Sequence, residues 1–124
     1  MKFFIKHYYL IVFKEVRRRI GVFGGTFDPP HRGHTSAALS AMRELELDFV
    51  LMVVANDPWQ KTSRNEASLK VRDFIVSSSH DRLEMLKRAL KEHDGLIADD
   101  MEIARGGRTY TIDTVFELSD RFPD

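Results

Sequence analysis

A single stretch, residues 19–46, joins an apolar run to an amphipathic run through a loop that carries glycines and histidines. The apolar run, 19–23, is short and is ended by Gly24-Gly25, which predicts a buried strand. Adjacent glycines allow the backbone to turn sharply and to approach a ligand closely. Residues 35–46 repeat apolar side chains at helical spacing, which predicts a helix. The order strand, glycine loop, helix therefore favours an α/β fold.

The rest of the chain repeats this alternation of strands and helices. Residues 49–55 form a continuous apolar run, which is typical of a strand covered on both faces. A helix follows that Asp81 can cap, and residues 96–103 are a third strand whose acidic residues indicate an edge or half-exposed position. Thr109 or Thr111 can cap the last helix. The pattern predicts a parallel sheet with right-handed crossovers.

Three loops should meet at one edge of this sheet, since each follows the carboxyl end of a parallel strand. Ligands of such sheets bind beyond those carboxyl ends. The three loops are residues 24–34 after the first strand, 56–64 after the second and 104–111 after the third. Residues 59–79 are irregular and polar, which favours a long loop of the kind that often binds ligands. We therefore expect the functional site at this edge.

Composition limits the class of protein. A length of 124 residues suits one domain with a packed core. The 19 Lys and Arg residues balance the 19 Asp and Glu residues, which argues against a nucleic-acid partner. The chain has no cysteine, which excludes disulfides, thiolate zinc sites and cysteine nucleophiles and favours the cytoplasm.

Residues 1–18 are an N-terminal extension with an apolar part, 3–13, that a basic run follows. The apolar part is shorter than the about 20 residues that a membrane span needs. No small-residue cleavage site follows it. We expect an extra strand or helix, or a segment that precedes the natural translation start, and no membrane partner. A targeting segment or a membrane-surface element is the alternative.

His31 and His34 lie three residues apart at the start of the predicted helix. A helix N-terminus offers unpaired N–H groups and a positive dipole end, which suit a phosphate. The loop has neither the Lys-Ser/Thr ending of a Walker A loop nor the glycine spacing of the dinucleotide fingerprint. Zinc would take Asp28 as a third ligand, and a pair of merely exposed histidines is the other alternative. The pattern favours phosphate binding without a metal site.

The segment Gly-Thr-Phe-Asp-Pro-Pro-His-Arg-Gly-His, residues 25–34, resembles the G-x-F-x-P-x-H-x-G-H signature of the nucleotidyltransferase superfamily. Residues 49–61, 81–86 and 103–114 are similar to bacterial nicotinate-nucleotide adenylyltransferases, with Pro-Trp-Gln-Lys in the first and Arg-Gly-Gly-Arg-Thr-Tyr-Thr in the last. The resemblance implies a nucleotidyltransferase domain over 19–124. It also implies a Rossmann-like, doubly wound parallel sheet.

The reaction that this resemblance implies joins ATP and nicotinate mononucleotide to give deamido-NAD and pyrophosphate. The mononucleotide phosphate attacks the α-phosphorus of ATP in line, so positioning and charge stabilisation do most of the work. Mg²⁺ is implied as the counter-ion of ATP, held by phosphate oxygens and water.

The resemblance also implies roles for individual residues. The catalytic residues would be His31 and His34, which donate to ATP phosphate oxygens as negative charge builds. Asp28 would orient a loop amide or a ribose hydroxyl. The ATP-binding residues are Gly24, Gly25, Thr26, Phe27, His31, Gly33, His34 and Lys61. The residues on the nicotinate mononucleotide side are Asp28, Trp59, Thr109, Tyr110 and Thr111. Plain exposure is the alternative for Lys61, and packing under the loop is the alternative for Trp59.

The family continues with a Gly-x-Asp strand and an Ile-Ser-x-Thr-x-x-Arg motif, which these 124 residues lack. We therefore expect a domain truncated at its C-terminal side, with an incomplete sheet of about three strands. An open, hydrophobic strand edge could then support a homo-oligomer. Two alternatives stay open. One is another superfamily transferase, such as a pantetheine-phosphate adenylyltransferase or a cytidylyltransferase. The other is a non-catalytic nucleotide-binding module.

Overall fold

A computed structural model describes residues 2–5, 8–14, 18–56 and 76–123 of the chain. In chain order its elements are β1 (Lys2–Ile5), β2 (Tyr8–Lys14), β3 (Arg19–Gly25), α1 (Arg32–Glu44), β4 (Phe49–Val54), α2 (Ser79–Leu90), β5 (Leu96–Asp99), α3 (Met101–Arg105) and α4 (Thr111–Arg121). Trp59, Lys61 and most of the predicted long loop lie outside the described residues.

The strands β3, β4 and β5 form the parallel sheet that the sequence predicts. Ile20 lies beside Phe49 across β3 and β4, and Val50 lies beside Leu96 across β4 and β5. Helices pack on both faces of the sheet, as in a doubly wound fold. The predicted α/β, Rossmann-like class is therefore confirmed.

Alternate strand residues enter two apolar clusters, because successive side chains of a strand point to opposite faces. One cluster packs the sheet against α1 and α2 and includes Phe23, Val50, Met52, Val54, Leu96, Ala38, Leu83, Leu86 and Leu90. The other packs it against α3 and α4 and includes Ile20, Val22, Leu51, Val53, Met101 and Leu118. Each fully buried Val or Leu contributes about 1.5–3 kcal/mol. Burial on both faces explains the continuous apolar run of β4.

The N-terminal extension forms an antiparallel hairpin, β1–β2, that pairs with the outer edge of β3. The pairing runs from Tyr9 beside Gly24 to Lys14 beside Arg19. Ile11 is 4% exposed and joins the cluster that α4 covers. The extension thus adds strands, one of the two forms expected for it. The strand β2 covers the outer edge of β3, so β1 and β5 are the outer strands of the described sheet and carry its open edges.

The third predicted strand, 96–103, is a strand only as far as Asp99, and α3 follows it. β5 lies at an edge as predicted, but Asp99 and Glu102 are 6% and 1% exposed, which corrects the expected exposure of these acids. Asp99 Oδ2 accepts a hydrogen bond from Arg121 Nη1 at 2.6 Å. Glu102 Oε1 accepts the hydroxyl proton of Thr114 at 2.5 Å. Partners on α4 therefore replace water for both acids.

Two helix caps differ from the predicted ones. Ser78 caps α2, because its Oγ accepts the Asp81 N–H at 3.1 Å, and Asp81 lies inside the first turn. Tyr110 is the N-cap residue of α4, so the predicted caps at Thr109 and Thr111 are wrong. None of the helices in the described ranges is both long and apolar enough to cross a membrane.

Candidate functional site

The loops that follow β3 and β4 and the segment between α3 and α4 are joined to one another by hydrogen bonds at the carboxyl edge of the sheet. Arg82 joins the loop after β3 to residues 55–56 after β4. Asn56 joins those residues to the loop 106–110. The predicted convergence of three loops is therefore confirmed for their described residues.

Arg82, in the first turn of α2, is 1% exposed and donates to four backbone carbonyls. Its Nη1 donates to Thr26 O at 3.1 Å and to Ala55 O at 2.6 Å. Its Nη2 donates to Asn56 O at 3.1 Å, and its Nε donates to Ser77 O at 2.9 Å. A guanidinium suits this task because its donors form a rigid planar fork. One side chain thus ties the ends of β3 and β4 to the start of α2 and places a positive charge beside the loops.

Asn56 extends the network to the third loop. Its N–H donates to Thr109 Oγ1 at 3.0 Å, and its Nδ2 donates to Gly107 O at 2.9 Å. Gly106 and Gly107 have φ angles of 74° and 72°, a region that glycine adopts without strain. The backbone therefore turns at these two glycines directly after α3, and the Gly107 carbonyl and the Thr109 hydroxyl face Asn56.

His31 and His34 cap the N-terminus of α1 through a reciprocal pair of hydrogen bonds. His31 is the N-cap residue, because α1 begins at Arg32 rather than at the predicted Thr35. His31 Nδ1 accepts the Gly33 N–H at 3.1 Å, and His34 Nδ1 accepts the His31 N–H at 3.0 Å. This is a capping box in which imidazole nitrogens replace the usual hydroxyl and carboxylate oxygens. The expectation of unpaired amides at this helix end is therefore wrong for Gly33.

The cap assigns the proton of each imidazole to one ring nitrogen. A ring nitrogen that accepts a hydrogen bond carries no proton, so neutral His31 and His34 hold theirs on Nε2. The two rings stack with centroids 3.7 Å apart and planes at 23°. His31 is exposed, whereas His34 is 5% exposed and meets the Phe27 ring edge-on at 5.0 Å. The pair therefore carries two Nε2–H donors, one at the surface and one below it.

Gly33 and Phe27 shape the surroundings of the histidines. A Cβ atom on Gly33 would lie 2.9 Å from Cε1 and Nδ1 of His31, so glycine leaves room for that ring over the helix end. Phe27 is 1% exposed and has a φ of 51°, a conformation that costs a non-glycine residue roughly 1–2 kcal/mol. Its ring packs 5.9 Å from that of Phe23 and against His34, which holds this conformation in place.

Gly24 and Gly25 are the last residues of β3, and both pair with β4. They extend the strand, so the sharp turn predicted at this pair is wrong. The backbone instead turns at Phe27. Thr26 is 4% exposed, and its carbonyl accepts a hydrogen bond from Arg82. These residues therefore form the buried base of the loop.

The residues expected on the nicotinate side fall into two groups: Asp28 follows the loop residues Thr26 and Phe27, and residues 109–111 precede or begin α4. Asp28 Oδ2 accepts the Ser77 N–H at 2.7 Å, which is the loop-amide contact among the two roles expected for it. Thr109 is held by Asn56. Tyr110 is 43% exposed, and Thr111 is the half-buried first residue of α4. The structure thus places Thr109 to Thr111 at the start of α4.

Arg82 and Asn56 connect the loops, and neither is among the site residues that the sequence predicts. The sequence does indicate that Arg82 is buried, because it lies four and eight residues before Leu86 and Leu90 and so shares their helix face. A charged residue in an apolar stripe needs buried polar partners. Nothing in the sequence indicates a role for Asn56, because Asn before Asp-Pro is typical of a turn and its partners are 51 and 53 residues away.

The polar groups at this edge suit an anion. They are the imidazole Nε2–H groups of His31 and His34 and the positive charge of the buried Arg82 guanidinium, beside one carboxylate, Asp28, that already accepts a backbone N–H. In residues 2–5, 8–14, 18–56 and 76–123, no three His, Asp or Glu side chains form a group that could hold a metal ion. Asp28, the third ligand of the zinc alternative, instead accepts a backbone N–H.

Residues 22–121 match the cytidylyltransferase-like family. The chain is also similar to a probable nicotinate-nucleotide adenylyltransferase of Shouchella clausii, with 40% identity over 107 residues that cover 86% of this chain and 50% of that protein. Proteins of the same name from Bordetella avium and Corynebacterium glutamicum are 40% and 39% identical over 82% and 87% of this chain. The matches cover 46% and 45% of those two proteins, so the chain spans about half the length of these relatives.

Proposed function

Because this chain belongs to the cytidylyltransferase-like family, we propose that it transfers the adenylyl group of ATP to nicotinate mononucleotide. The products are deamido-NAD and pyrophosphate, in the synthesis of NAD. One observation carries the proposal. The first of three hydrogen-bonded loops leads into a fixed histidine pair, in a chain whose relatives are named for this activity. The cysteine-free sequence favours the cytoplasm as the compartment.

The chemistry is an in-line displacement at phosphorus. A 5′-phosphate oxygen of nicotinate mononucleotide attacks the α-phosphorus of ATP, and a new P–O bond forms. The bond from the α-phosphorus to the oxygen that bridges to the β-phosphate breaks, and pyrophosphate leaves with the bonding electrons. The protein supplies no nucleophile, so it acts through positioning and charge stabilisation. ATP enters as its Mg²⁺ complex, in which phosphate oxygens and water hold the ion.

The histidine pair supplies the donors for the phosphate oxygens on which charge builds. The Nδ1 atoms of His31 and His34 are held by the cap, so each ring keeps its Nε2–H in a fixed direction. Such preorganised donors cost little reorganisation when the charge develops, and removing one typically lowers kcat by roughly 10²–10³. Thr26 and Phe27 form the loop beside them, and the Arg82 charge next to Thr26 favours an anion there.

The start of α4 suits the pyridine end of the mononucleotide. Tyr110, the N-cap residue of α4, makes no side-chain cap hydrogen bond. The first amides of the helix and its positive dipole end then favour the carboxylate that distinguishes nicotinate from nicotinamide. Asn56 holds Thr109 at this position. Lys61 and Trp59 complete the proposal as phosphate-binding and mononucleotide-binding residues.

Nucleotide binding without catalysis is the second candidate function. The observation that favours it is the half-length match to the relatives. On the β3 side of the loops, the antiparallel hairpin lies where a doubly wound sheet would supply its next parallel strand. ATP would then bind to the loop after β3 while the adenylyl acceptor is not held for attack.

A pyrophosphate-release assay on the chain of 124 residues separates these functions. The chain is incubated with MgATP and, in parallel, with nicotinate mononucleotide, nicotinamide mononucleotide or phosphopantetheine. We expect pyrophosphate with nicotinate mononucleotide. Release with phosphopantetheine alone would contradict the proposal. ATP binding with no release in any arm would favour the second candidate.

His34→Gln tests the histidine role without removing the cap. Glutamine at this position of a capping box accepts the N-cap N–H through its carbonyl oxygen, so the fold should stay intact. The rigid imidazole Nε2–H is then replaced by a flexible amide N–H₂ that is not held in the same direction. We expect at least about a hundredfold loss of kcat. His80→Gln, at an exposed histidine of α2, is the control and should keep full activity.

A further inference from the structure

The outer edge of β3 is occupied in a way that doubly wound sheets do not use. Such sheets have the strand order 3-2-1-4-5-6, in which strand 4 pairs in parallel with the outer edge of strand 1. Here β3, β4 and β5 are strands 1, 2 and 3 of that order. The strand β2 takes the place of strand 4, but it runs antiparallel to β3.

The helix α4 leads to the same edge. It follows β5 and lies on the face of the sheet opposite to α1 and α2, where Leu118 packs in the cluster that contains Ile11 and Ile20. In a doubly wound sheet, the helix after strand 3 packs on the opposite face, and the chain then returns to form strand 4 beside strand 1. At the end of α4, the Phe122 ring lies 6.4 Å from that of Phe49, at the amino end of β4. A strand parallel to β3 starts from this end.

The hairpin holds the edge through backbone pairing and through the buried side chain of Ile11. Six residue pairs join β2 to β3, and Ile11 lies beside Val22 with 4% exposure. Without β2, the strand β3 would present a row of unpaired N–H and C=O groups next to Ile20 and Val22. Such an edge is a template for another strand.

We propose that the β1–β2 hairpin is an edge cap that competes with a parallel strand from the second half of an adenylyltransferase chain. That strand would bind by strand addition, with main-chain hydrogen bonds to β3 and apolar contact with Ile20 and Val22. It has to displace β2, because both strands use the same backbone groups of β3. The proposal rests on the strand order and on family membership, and not on catalysis by this chain.

A reversible lock tests this competition in the full chain. Lys14 and Arg19 face each other across β2 and β3. Facing Cα atoms of antiparallel strands lie about 4.5–5.5 Å apart, which is within disulfide range. The sequence has no cysteine, so Lys14→Cys/Arg19→Cys can form one defined bond. Its oxidised form keeps the hairpin on β3, and the reduced form of the same protein is the matched control.

The probe is the second half of the Shouchella clausii relative, produced as a separate tagged polypeptide and first shown to bind the first half of its own protein. We expect the oxidised chain to bind it about tenfold or more weakly than the reduced chain. In a separate variant, Ile11→Asp places a charge at a buried site and should bind about tenfold more tightly than wild type. Equal affinities of the oxidised and reduced forms, or no binding by any form, would overturn the proposal.

Discussion

Replacing Arg82 by methionine removes four N–H···O hydrogen bonds and leaves their carbonyl acceptors in place. Methionine keeps an apolar stem of similar length, so the substitution changes hydrogen bonding more than packing. The bonds to Thr26 O and Ala55 O are buried, and each buried acceptor left unpaired costs about 1–3 kcal/mol. The bonds to Ser77 O and Asn56 O are partly buried, so water can replace the lost donor there.

The two buried acceptors put the loss at about 2–6 kcal/mol. Removing a buried guanidinium also removes the cost of taking its charge out of water, which offsets part of this loss. We therefore expect the free energy of unfolding of Arg82→Met to fall by about 3 kcal/mol. In a domain of this size, the melting temperature should fall by about 10 °C.

Urea unfolding followed by circular dichroism measures this change. The control is Arg88→Met, because Arg88 is exposed on the same helix and its loss should cost less than about 0.5 kcal/mol. Arg82→Lys keeps the charge but not the planar fork, so its stability should lie between those of wild type and Arg82→Met. Equal stabilities of Arg82→Met and Arg88→Met would refute the role of Arg82 in tying the loops together.

Three other substitutions test separate parts of the site and its support. Gly33→Ala places a Cβ atom against the His31 ring and should weaken MgATP binding about tenfold, which is the contribution of one hydrogen bond to a charged group. An unchanged affinity in calorimetry would count against the position of that ring. Thr114→Val removes a buried partner of Glu102 and should lower the free energy of unfolding by about 2 kcal/mol in urea, which a neutral result would disprove. Gly106→Ala forces a side chain to adopt φ of 74° and should cost roughly 1–2 kcal/mol, whereas wild-type stability would contradict the positive φ.

The parallel half of the sheet could be predicted because its strands carry their own signals. The run 49–55 is apolar without alternation, and this pattern arises when helices bury both faces of a strand. The position of β2 could not be predicted in this way. Pairing with β3 depends on which strand edge remains exposed after the helices pack, and that is a property of the assembled sheet.

The histidines of the site could be predicted as residues but not as a cap. A local signature identifies His31 and His34, whereas their Nδ1 bonds depend on His31 adopting an extended conformation before α1. The error at Gly24-Gly25 has a similar cause. Two adjacent glycines permit a turn, but pairing with β4 keeps them in the strand and moves the turn to Phe27.

The binding of MgATP to isotope-labelled protein, followed by nuclear magnetic resonance, tests the proposed site most directly. We predict that the Nε2–H signals of His31 and His34 shift with the amides of Thr26 and Phe27, all with one dissociation constant. Addition of nicotinate mononucleotide should then shift the amides at the start of α4. Shifts confined to the outer face of α2, or no shifts at saturating MgATP, would contradict a nucleotide site at the carboxyl edge of the sheet.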